Sequence, residues 1–389
     1  MCASNLPSSN TCGAPPVKIA FSLLNYRPGK IGGTEIYLRQ LLAHLPGVLG
    51  PDELVVLLGR DQAAAMPAGP LARLVVDASD GQLAAARILE AFTPYRARFA
   101  ERIMAHSRCD VAVFPQQSIF PKRVAVPSLL VVHAVQHLLQ PEQFALFDRA
   151  FRAAAYPRGL RRADRIVAIS TVMKNTLVER CQVPAEKIAV IPHGRLELNP
   201  SAVRPTPRVT GRFLFYPAST YPYKGHAVLL ETFARLRRGG YDGRLVLAGQ
   251  QTAYWKTLAR RIRTLGLQDA VRHLGWLPLA EVLEVYRAAE AVVLPTTYEG
   301  FGLPVMEAAA MEKKLIVSRL AIFDELGVPP AFQIDFADVA QLAAALVRPG
   351  PTRLTAPAWT WKQCAAALVD LARQTRATAR AAARERVVS

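Results

Sequence analysis

The chain alternates short apolar runs with segments whose apolar residues recur every three or four positions. Apolar runs of strand length that alternate with helical patterns are typical of β–α–β units and a parallel sheet. In the first half the predicted strands are 17–24, 53–59, 72–78, 109–115, 128–134, 164–170 and 187–194. The predicted helical regions there are 34–45, 82–106, 144–162 and 171–181.

A polar, proline-bearing stretch at 195–211 interrupts the alternation and indicates a linker. The pattern then restarts, with predicted strands at 212–218, 244–250, 271–276, 291–297 and 314–319. The predicted helices are 225–238, 253–265, 279–289, 303–311, 338–348 and 359–374, and an Arg/Ala-rich basic tail follows.

This pattern predicts an α/β protein with two doubly wound, Rossmann-like domains that face a central cleft. The predicted organisation is a disordered leader, a first Rossmann-like domain, a second Rossmann-like domain, and a last helix with its basic tail: 1–16, 17–200, 201–360 and 361–389. In such sheets ligands bind at the carboxyl ends of the strands. The loops after the strands are therefore where we expect the functional residues.

Composition narrows the classes of function. The chain has 48 Lys and Arg residues against 30 Asp and Glu, a net charge of +18 among 389 residues, which favours an anionic partner. No nucleic-acid-binding motif is present, so nucleic acid is not expected as a partner. The five cysteines are scattered singly, without metal-ligand or disulfide spacing. The apolar runs are too short to span a bilayer, and the leader lacks the features of a signal peptide, so we expect a cytoplasmic protein.

Two glycines follow the first predicted strand. Gly32 and Gly33 come directly before Thr34, which we expect to be the N-cap of the next helix. Glycines at a strand-to-helix turn let the backbone approach a phosphate or a sugar, and a helix N-terminus favours anions. The spacing matches neither GxGxxG nor a Walker A loop, so a tight structural turn stays an equal alternative.

Two further side chains lie where such sheets bind ligands. His133 ends a predicted strand, and Lys224 comes just before helix 225–238. A lysine at that point can neutralise a phosphate as a point charge. The structural alternatives are a buried histidine that binds nothing and a surface lysine.

The segment TTYEGFGLPVMEA, residues 296–308, carries Glu299 and Glu307, eight positions apart. A carboxylate accepts two hydrogen bonds, which suits a sugar diol, and a second acid can bind sugar hydroxyls or stabilise positive charge at a reacting carbon. In the alternative interpretation Glu307 compensates the helix dipole and Glu299 is a solvated loop acid.

The same segment should expose backbone donors. Gly300 and Gly302 allow a sharp turn, and Pro304 suits the first position of a helix. The unpaired N–H groups at about 303–306 would then face a diphosphate.

The segment YEGFGLPVMEA closely resembles the E-x7-E signature of the group 1 retaining glycosyltransferases, which have the GT-B fold. Other segments follow in that family's order, so the resemblance covers about Val17 to Leu371: GGTEIYLRQL, VVHAVQH, RADRIVAISTVMKNTL, KIAVIPHG, YPYKGH, VRHLGW and TWKQCAAALVDL. The segment FLFYPASTYPYKGH is most similar to the bacterial branch that acts on polysaccharide and lipopolysaccharide chains.

The resemblance implies roles for the acidic and basic candidates. Glu307 would hold the donor ribose, and Glu299 would contact the transferred sugar. Lys224 would bind the diphosphate, and His133 would contact the donor sugar and help at the reacting centre. This chain lacks the arginine that many relatives carry shortly before the lysine, so Lys224 would neutralise more of the diphosphate charge.

The resemblance also implies contacts made through the backbone. Further diphosphate donors would be the amides of Gly300, Phe301, Gly302 and Leu303. Gly249 and Leu277 would border the base, while Gly32 and Gly33 would line the phosphate and acceptor side. By the same resemblance, 17–200 would be the acceptor-side domain and 201–360 the nucleotide-sugar donor domain. The last helix would cross back onto the first domain.

The implied activity is that of a retaining transferase. It would move a hexose, with mannose as the expected sugar, from a nucleotide-diphosphate sugar to a hydroxyl of a glycan or lipid-linked acceptor in cell-surface polysaccharide synthesis. No cofactor is expected beyond the nucleotide sugar as co-substrate, and without a DxD motif no metal is expected. The alternatives are another GT-B enzyme, such as an epimerase or a phosphorylase-like enzyme, and a non-catalytic nucleotide-sugar binder.

The basic surplus suggests a membrane surface as a further partner. In the region 92–103 arginines alternate with apolar residues, a pattern that would let one face contact the anionic inner leaflet of the cytoplasmic membrane: Phe92, Tyr95, Arg96, Arg98, Phe99, Arg102 and Ile103. A solvated helix face is an equal alternative.

Overall fold

A computed structural model describes residues 15–27, 33–66, 69–196 and 209–388, with side chains up to residue 385. Gly32, most of the predicted leader and most of the predicted linker lie outside these ranges.

The first half forms one parallel sheet flanked by helices. Its strands are β1 (Lys18–Ser22), β2 (Glu53–Gly59), β3 (Ala72–Val76), β4 (Val111–Phe114), β5 (Ser128–Val132), β6 (Arg165–Ala168) and β7 (Ile188–Val190). Its helices are α1 (Gly33–His44), α2 (Arg60–Ala65), α3 (Asp80–Phe92), α4 (Arg98–His106), α5 (Gln136–Leu139), α6 (Leu146–Arg162) and α7 (Thr171–Cys181). The sheet has the strand order β3-β2-β1-β4-β5-β6-β7.

The second half repeats this plan. Its strands are β8 (Phe213–Pro217), β9 (Arg244–Ala248), β10 (Val271–His273), β11 (Ala291–Leu294), β12 (Lys314–Ser318) and β13 (Gln333–Ile334). Its helices are α8 (His226–Arg238), α9 (Trp255–Thr264), α10 (Leu279–Ala288), α11 (Leu303–Ala310), α12 (Ala321–Glu325), α13 (Val339–Val347) and α14 (Trp361–Val388). The second sheet is also parallel, in the order β10-β9-β8-β11-β12-β13.

The central strands are apolar on both faces because helices cover both sides of each sheet. Every residue of β5, SLLVV, and of β11, AVVL, is buried. Burial of each such Val or Leu side chain stabilises the fold by roughly 1.5–3 kcal/mol. The predicted two-sheet α/β architecture is therefore confirmed.

Each sheet reverses its strand order at one point. In the first sheet this point lies between β1 and β4, and in the second between β8 and β11. The loops after two such strands run to opposite faces of the sheet, so a crevice opens between them. Each half therefore has one crevice at the carboxyl ends of its two strands, the place where sheets of this kind bind ligands.

The last helix, α14, packs against α1 of the first half. Its arginines form ion pairs there: Arg373 lies 2.7 Å from Asp52, and Arg380 lies 3.1 Å from Asp110. The predicted crossing is therefore present, but the predicted end of the helix at 374 is wrong. The Arg/Ala-rich segment continues the helix to its last turn, and part of the basic surplus pairs with acids of the first half.

The predicted helical region 82–106 is two helices. α3 ends at Phe92 and α4 begins at Arg98, so the apolar and basic residues of this region do not share one helix face. Phe92 and Tyr95 are 47% and 40% exposed, whereas Ile103 is buried. The proposed membrane-facing set is therefore wrong as a single face, although its first aromatic residues do face outward.

The pattern did not predict α2, α5, α12 or β13. Each has only two to six residues, which is too short for a periodic pattern to show. Among the described helices, none is both long and apolar enough to cross a bilayer.

Candidate active site

The N-termini of two helices face each other across the cleft. α11 begins after Gly302, whose φ of +93° is a left-handed conformation that favours glycine. α1 begins at Gly33, and a Cβ on this residue would lie 3.4 Å from Leu303 Cδ1. The positive ends of both helix dipoles therefore converge on one space, which favours an anion.

Three details of the predicted helix starts are wrong. Thr34 lies inside the first turn of α1 and is not its N-cap, because the helix begins one residue earlier. Pro304 occupies the second position of α11 instead of the first. The N–H groups of Val305 and Met306 donate to Gly302 O, at 2.9 and 3.3 Å, so they do not face a ligand.

The remaining backbone donors are those of residues 300–303, which have no acceptor among the described residues. Gly300 is required here because a Cβ would overlap the carbonyl oxygen of His133. Its own carbonyl accepts a hydrogen bond from Ser170 Oγ at 3.0 Å. The loop before α11 thus lies directly on the carboxyl edge of the first sheet.

Lys224 and Glu299, predicted separately, form an ion pair. The Lys224 Nζ to Glu299 Oε2 distance is 2.6 Å, and both side chains are less than one fifth exposed. Burial by itself lowers the pKa of Lys224, but the charge and hydrogen bond of Glu299 and the neighbouring Tyr223 together outweigh it, so the pKa lies above its usual value. The ammonium also lies 5.0 Å from the centre of the Tyr223 ring. The pair places one fixed positive and one fixed negative charge beside the α11 N-terminus.

Glu307 lies one turn inside α11, and its carboxylate has a partner that the sequence did not reveal. The Tyr286 hydroxyl donates to Glu307 Oε2 at 2.7 Å. Burial raises the pKa of Glu307, and the hydrogen bond from Tyr286 opposes part of that rise. One carboxylate oxygen is therefore held by the protein, and the other is the acceptor that a ligand would meet.

His133 follows β5, and its ring is buried. Nε2 lies 2.8 Å from Pro115 O, and because a carbonyl only accepts, Nε2 carries the proton and Nδ1 is the free acceptor. Burial lowers the pKa of His133 to about 4, so the ring is neutral at pH 7. Its edge packs on Tyr37 with the ring centres 4.7 Å apart.

The residues predicted to border a base lie at the carboxyl ends of β9 and β10. The Gly249 N–H donates to Gly275 O at 2.8 Å, and a Cβ on Gly249 would lie 2.6 Å from the backbone of Ala218. The Leu277 side chain is buried, so only its backbone remains for a ligand. Trp276, which the sequence did not single out, is 73% exposed beside them.

Phe301 is buried and supports the site through packing. Its ring centre lies 4.7 Å from that of His193, which stacks on Tyr37 at 4.8 Å. Because the side chain is covered, Phe301 has only its backbone for a ligand. His193, Tyr286 and Ser170 were missed because each lies far in sequence from the loop that it supports.

A pair of hydrogen bonds that the sequence did not reveal joins the two halves of the chain. The Glu325 carboxylate of α12 accepts hydrogen bonds from the N–H groups of Thr171 and Val172, at 2.7 and 2.9 Å. It thus stabilises the N-terminus of α7 in the first half. Within the described ranges no three His, Cys, Asp or Glu side chains are grouped as metal ligands would be.

Two parallel Rossmann-like sheets, with their crevices on one cleft and a last helix that crosses back, define the GT-B class of proteins. Solved structures agree with this fold. HepE of Anabaena, in a complex with UDP and glucose, superposes with a TM-score of 0.60 at 18% identity, over 95% of this chain and 100% of that one. WaaG, a glycosyltransferase involved in lipopolysaccharide biosynthesis, superposes with a TM-score of 0.57 at 15% identity, over 90% and 95%.

Sequence comparison specifies the family. The family model Glycosyltransferase Family 4 matches residues 31–195, and the model Glycosyl transferases group 1 matches residues 203–346. The chain belongs to the group 1 glycosyltransferases.

Curated relatives are similar at low identity. The O-antigen chain mannosyltransferase RfbU of Salmonella typhimurium is 26% identical over 198 residues, 51% of this chain and 53% of that protein. The MMP alpha-(1->4)-mannosyltransferase of Mycolicibacterium hassiacum is 29% identical over 195 residues, which are 49% of this chain and 46% of that protein. The D-inositol 3-phosphate glycosyltransferase of Kineococcus radiotolerans is 27% identical over 287 residues, 66% and 64%. The chain thus spans about half the length of the first two of these relatives and two thirds of the third.

Proposed function

We propose that this protein is a retaining glycosyltransferase that moves a hexose from a nucleotide-diphosphate sugar to a hydroxyl of a glycan or lipid-linked acceptor. The observation that carries the proposal is the convergence of the α1 and α11 N-termini between Glu307 and the Lys224–Glu299 pair. Helix N-termini and a lysine favour a diphosphate, and the carboxylates favour sugar hydroxyls. The family membership and the nucleotide-bound structural neighbour agree with such a donor.

In this proposal the protein binds the donor mainly through its second half. Glu307 accepts from the ribose diol through the oxygen that Tyr286 leaves free. The amides of residues 300–303 bind the diphosphate, and the backbone at Gly249 and Leu277 borders the base. Phe301 contributes its amide alone, since its ring is buried.

Lys224 would change partners when the donor binds. Its ammonium lies on Glu299 in the described structure, and a diphosphate at the α11 N-terminus offers it a stronger anion. Glu299 is then released to accept from hydroxyls of the transferred sugar. As the diphosphate leaves, Lys224 and the helix amides stabilise its growing charge, a form of electrostatic catalysis.

The proposed mechanism has no covalent intermediate. A double displacement needs a carboxylate that is free to attack the anomeric carbon. With the donor bound, Glu299 would accept from hydroxyls of the transferred sugar, and Glu307 is hydrogen-bonded to Tyr286 on the ribose side. In the proposed same-face reaction the departing diphosphate takes the acceptor proton, while neutral His133 contacts the donor sugar at the reacting centre. His133 Nδ1 is a hydrogen-bond acceptor there, because Nε2–H is used by Pro115 O.

Mannose is the proposed sugar, and cell-surface polysaccharide is the proposed product. The names of two relatives, RfbU and the MMP mannosyltransferase, specify mannosyl transfer, and RfbU acts on an O-antigen chain. We propose a cytoplasmic location, with peripheral contact to the inner face of the cytoplasmic membrane. The exposed Phe92 and Tyr95 beside basic residues support such contact.

A donor-consumption assay separates this function from its alternatives. We expect nucleoside diphosphate release that rises when an acceptor is added, and a product whose anomeric configuration by NMR is that of the donor. We also expect the rate to be unchanged by EDTA. An isomerised sugar without acceptor would indicate an epimerase, release that requires inorganic phosphate would indicate a phosphorylase, and an unaltered bound donor would indicate a non-catalytic binder.

A further inference from the structure

A second cavity lies between α3 and α6, away from the donor residues. Its cavity volume is about 30 Å³, within a wider depression of about 400 Å³ that includes open solvent. Four cations and one carboxylate line this α3–α6 cavity: Arg87, Lys122, Arg158, Arg162 and Glu90. The proposed donor site uses none of them.

The single carboxylate of the cavity is occupied by the backbone. Glu90 is 3% exposed, and its two oxygens accept hydrogen bonds from the N–H groups of Ala97 and Lys122, at 2.8 and 2.7 Å. No ion pair joins it to a cation among the described residues. Four positive charges therefore face one negative charge in the cavity, an excess of three positive charges.

Arg87 shows the excess of positive charge in the cavity most clearly. Its guanidinium carbon lies 5.6 Å from the centre of the Phe151 ring, and the group has no hydrogen bond or ion pair with a described residue. Burial lowers the pKa of Arg87 to about 10. A desolvated cation is costly unless an anion pairs with it, so Arg87 would be stabilised by an anion that enters the cavity.

Two neighbouring guanidinium groups are already held in place. Arg158 Nη1 donates to Glu90 O at 2.9 Å, and Arg162 donates to Lys122 O. These bonds restrict the side chains and leave other N–H groups for a ligand. Fixed guanidinium forks match the geometry of phosphate oxygens, and preorganisation lowers the entropy cost of binding.

An exposed apolar patch adjoins the cavity. Phe92 at the end of α3 and Phe147 in the first turn of α6 have ring centres 6.2 Å apart and are 47% and 56% exposed. We define the apolar patch as Leu89, Phe92, Tyr95, Leu146 and Phe147, each at least 40% exposed. Scattered exposed apolar residues are ordinary, but a cluster of this kind marks a contact surface.

The cavity also connects with the candidate active site through one loop. Ser118 and Ile119, which follow β4, line the cavity. Three residues earlier in the same loop, Pro115 O accepts the His133 Nε2–H. This loop therefore joins the cavity to the residue that fixes the His133 ring.

We propose that the α3–α6 cavity binds the terminal phosphate or diphosphate of an amphiphile whose apolar chain lies on the apolar patch. The arginines would bind the phosphate, and the apolar patch would contact the apolar chain of the amphiphile. The proposal rests on the proposed function in one respect, since the amphiphile would be the lipid-linked acceptor.

Calorimetric titration of the full chain with octyl phosphate and with inorganic phosphate tests this site. We expect saturable binding of octyl phosphate, at least tenfold tighter than that of inorganic phosphate. Arg87→Met keeps a side chain of similar volume against Phe151 and removes the charge. It should weaken the binding of octyl phosphate about tenfold or more. Arg149→Met removes an exposed charge of α6 outside the cavity lining and should leave the affinity unchanged. Phe147→Asn should weaken the binding of octyl phosphate and leave the affinity for inorganic phosphate unchanged.

Several outcomes would overturn the proposal. Absence of octyl phosphate binding would do so, as would equal losses in Arg87→Met and Arg149→Met, which indicate bulk electrostatics. Equal affinity for octyl and inorganic phosphate would remove the apolar patch from the site. If circular dichroism shows that Arg87→Met misfolds, Lys122→Met replaces it. Nucleotide-sugar binding, titrated in parallel, should not change in any of these variants, so failure of the donor assay would contradict the proposed function alone.

Discussion

The Lys224 ammonium and the Glu299 carboxylate lie 2.6 Å apart at the N-terminus of α11. Each comes from the loop after one of the two strands that flank the reversal of the second sheet, β8 and β11. The ion pair holds the two side chains against each other in a partly buried crevice. A diphosphate would therefore enter a site whose cation is already positioned.

Lys224→Met should lower kcat by about a hundredfold to a thousandfold, because the leaving diphosphate loses its cation in the transition state. Lys256→Met, which removes an exposed lysine of α9, is the matched control and should be neutral. Steady-state kinetics with the preferred nucleotide sugar measures both variants. A kcat for Lys224→Met within twofold of the control would exclude Lys224 from leaving-group stabilisation.

Tyr286→Phe should weaken donor binding less than loss of Glu307 would, because it removes only the hydroxyl that orients the carboxylate. We expect a few-fold rise in donor Kd and a loss of about 1 kcal/mol in the free energy of unfolding. Calorimetric titration and urea denaturation measure the two quantities. A donor Kd that did not change at all would mean that the Tyr286 bond does not orient Glu307 for a ligand.

Gly300→Ala should lower both stability and turnover, because the new Cβ would overlap the His133 carbonyl oxygen and push the α11 loop away from the first sheet. We expect a loss of about 1–3 kcal/mol in the free energy of unfolding. Two glycines provide controls. A Cβ on Gly47 would meet nothing within 4 Å, and Gly50 combines open space with a φ of +60°.

Comparison of the Gly300, Gly47 and Gly50 variants separates the effect of the steric contact from the effect of backbone strain. Gly47→Ala should be neutral, and Gly50→Ala should show only the cost of the left-handed conformation, about 1–2 kcal/mol, with unchanged kcat. If Gly300→Ala retained full turnover, the close approach of the two halves would not matter for the reaction.

Stability should fall as the pH drops below neutrality. Burial lowers the pKa of His133, His137 and His273 to about 4 and that of His226 to about 3, from an unfolded value near 6.5. Between about pH 6.5 and these values the unfolded chain binds protons that the folded chain does not. The stability due to the neutral rings is complete above pH 6.5 and is lost towards pH 4, by up to about 1.4 kcal/mol per pH unit for each histidine.

Urea denaturation at a series of pH values between 7 and about 5 measures this slope. His226→Gln removes one fully buried ring and should make the slope shallower by one histidine's share. His106→Asn, at an exposed position, should leave the slope as it was. Equal slopes in the wild type and His226→Gln would show that this ring does not resist protonation.

The sequence predicted the two sheets because their central strands are nearly continuous apolar runs, such as those of β5 and β11. It also placed Lys224 and Glu299 in loops after strands. It could not show that the two are paired, because they are 75 residues apart and belong to different loops. The 28 residues of α14 were cut short in the prediction because Arg and Ala dominate its end, and the acids that pair there lie at Asp52 and Asp110.

The features that the sequence analysis missed depend on packing between residues that are far apart in the chain. Gly300 has no room for a Cβ because the carbonyl oxygen of His133, in the loop after β5 of the other half, lies against it. Val305 and Met306 were expected to expose N–H groups, but the left-handed Gly302 turns its carbonyl towards them. The α3–α6 cavity combines a loop after β4 with two helices, so no single stretch of sequence reveals it.

The central claim is that Glu307 holds the donor, and calorimetric titration of nucleotide sugars into matched variants tests it most directly. Glu307→Gln keeps the volume and removes the charge, whereas Glu312→Gln removes an exposed charge just after α11 and is the control. We predict that one nucleoside-diphosphate sugar binds the wild type and Glu312→Gln alike and binds Glu307→Gln about 10- to 100-fold more weakly. Equal donor affinity in all three proteins would contradict the account.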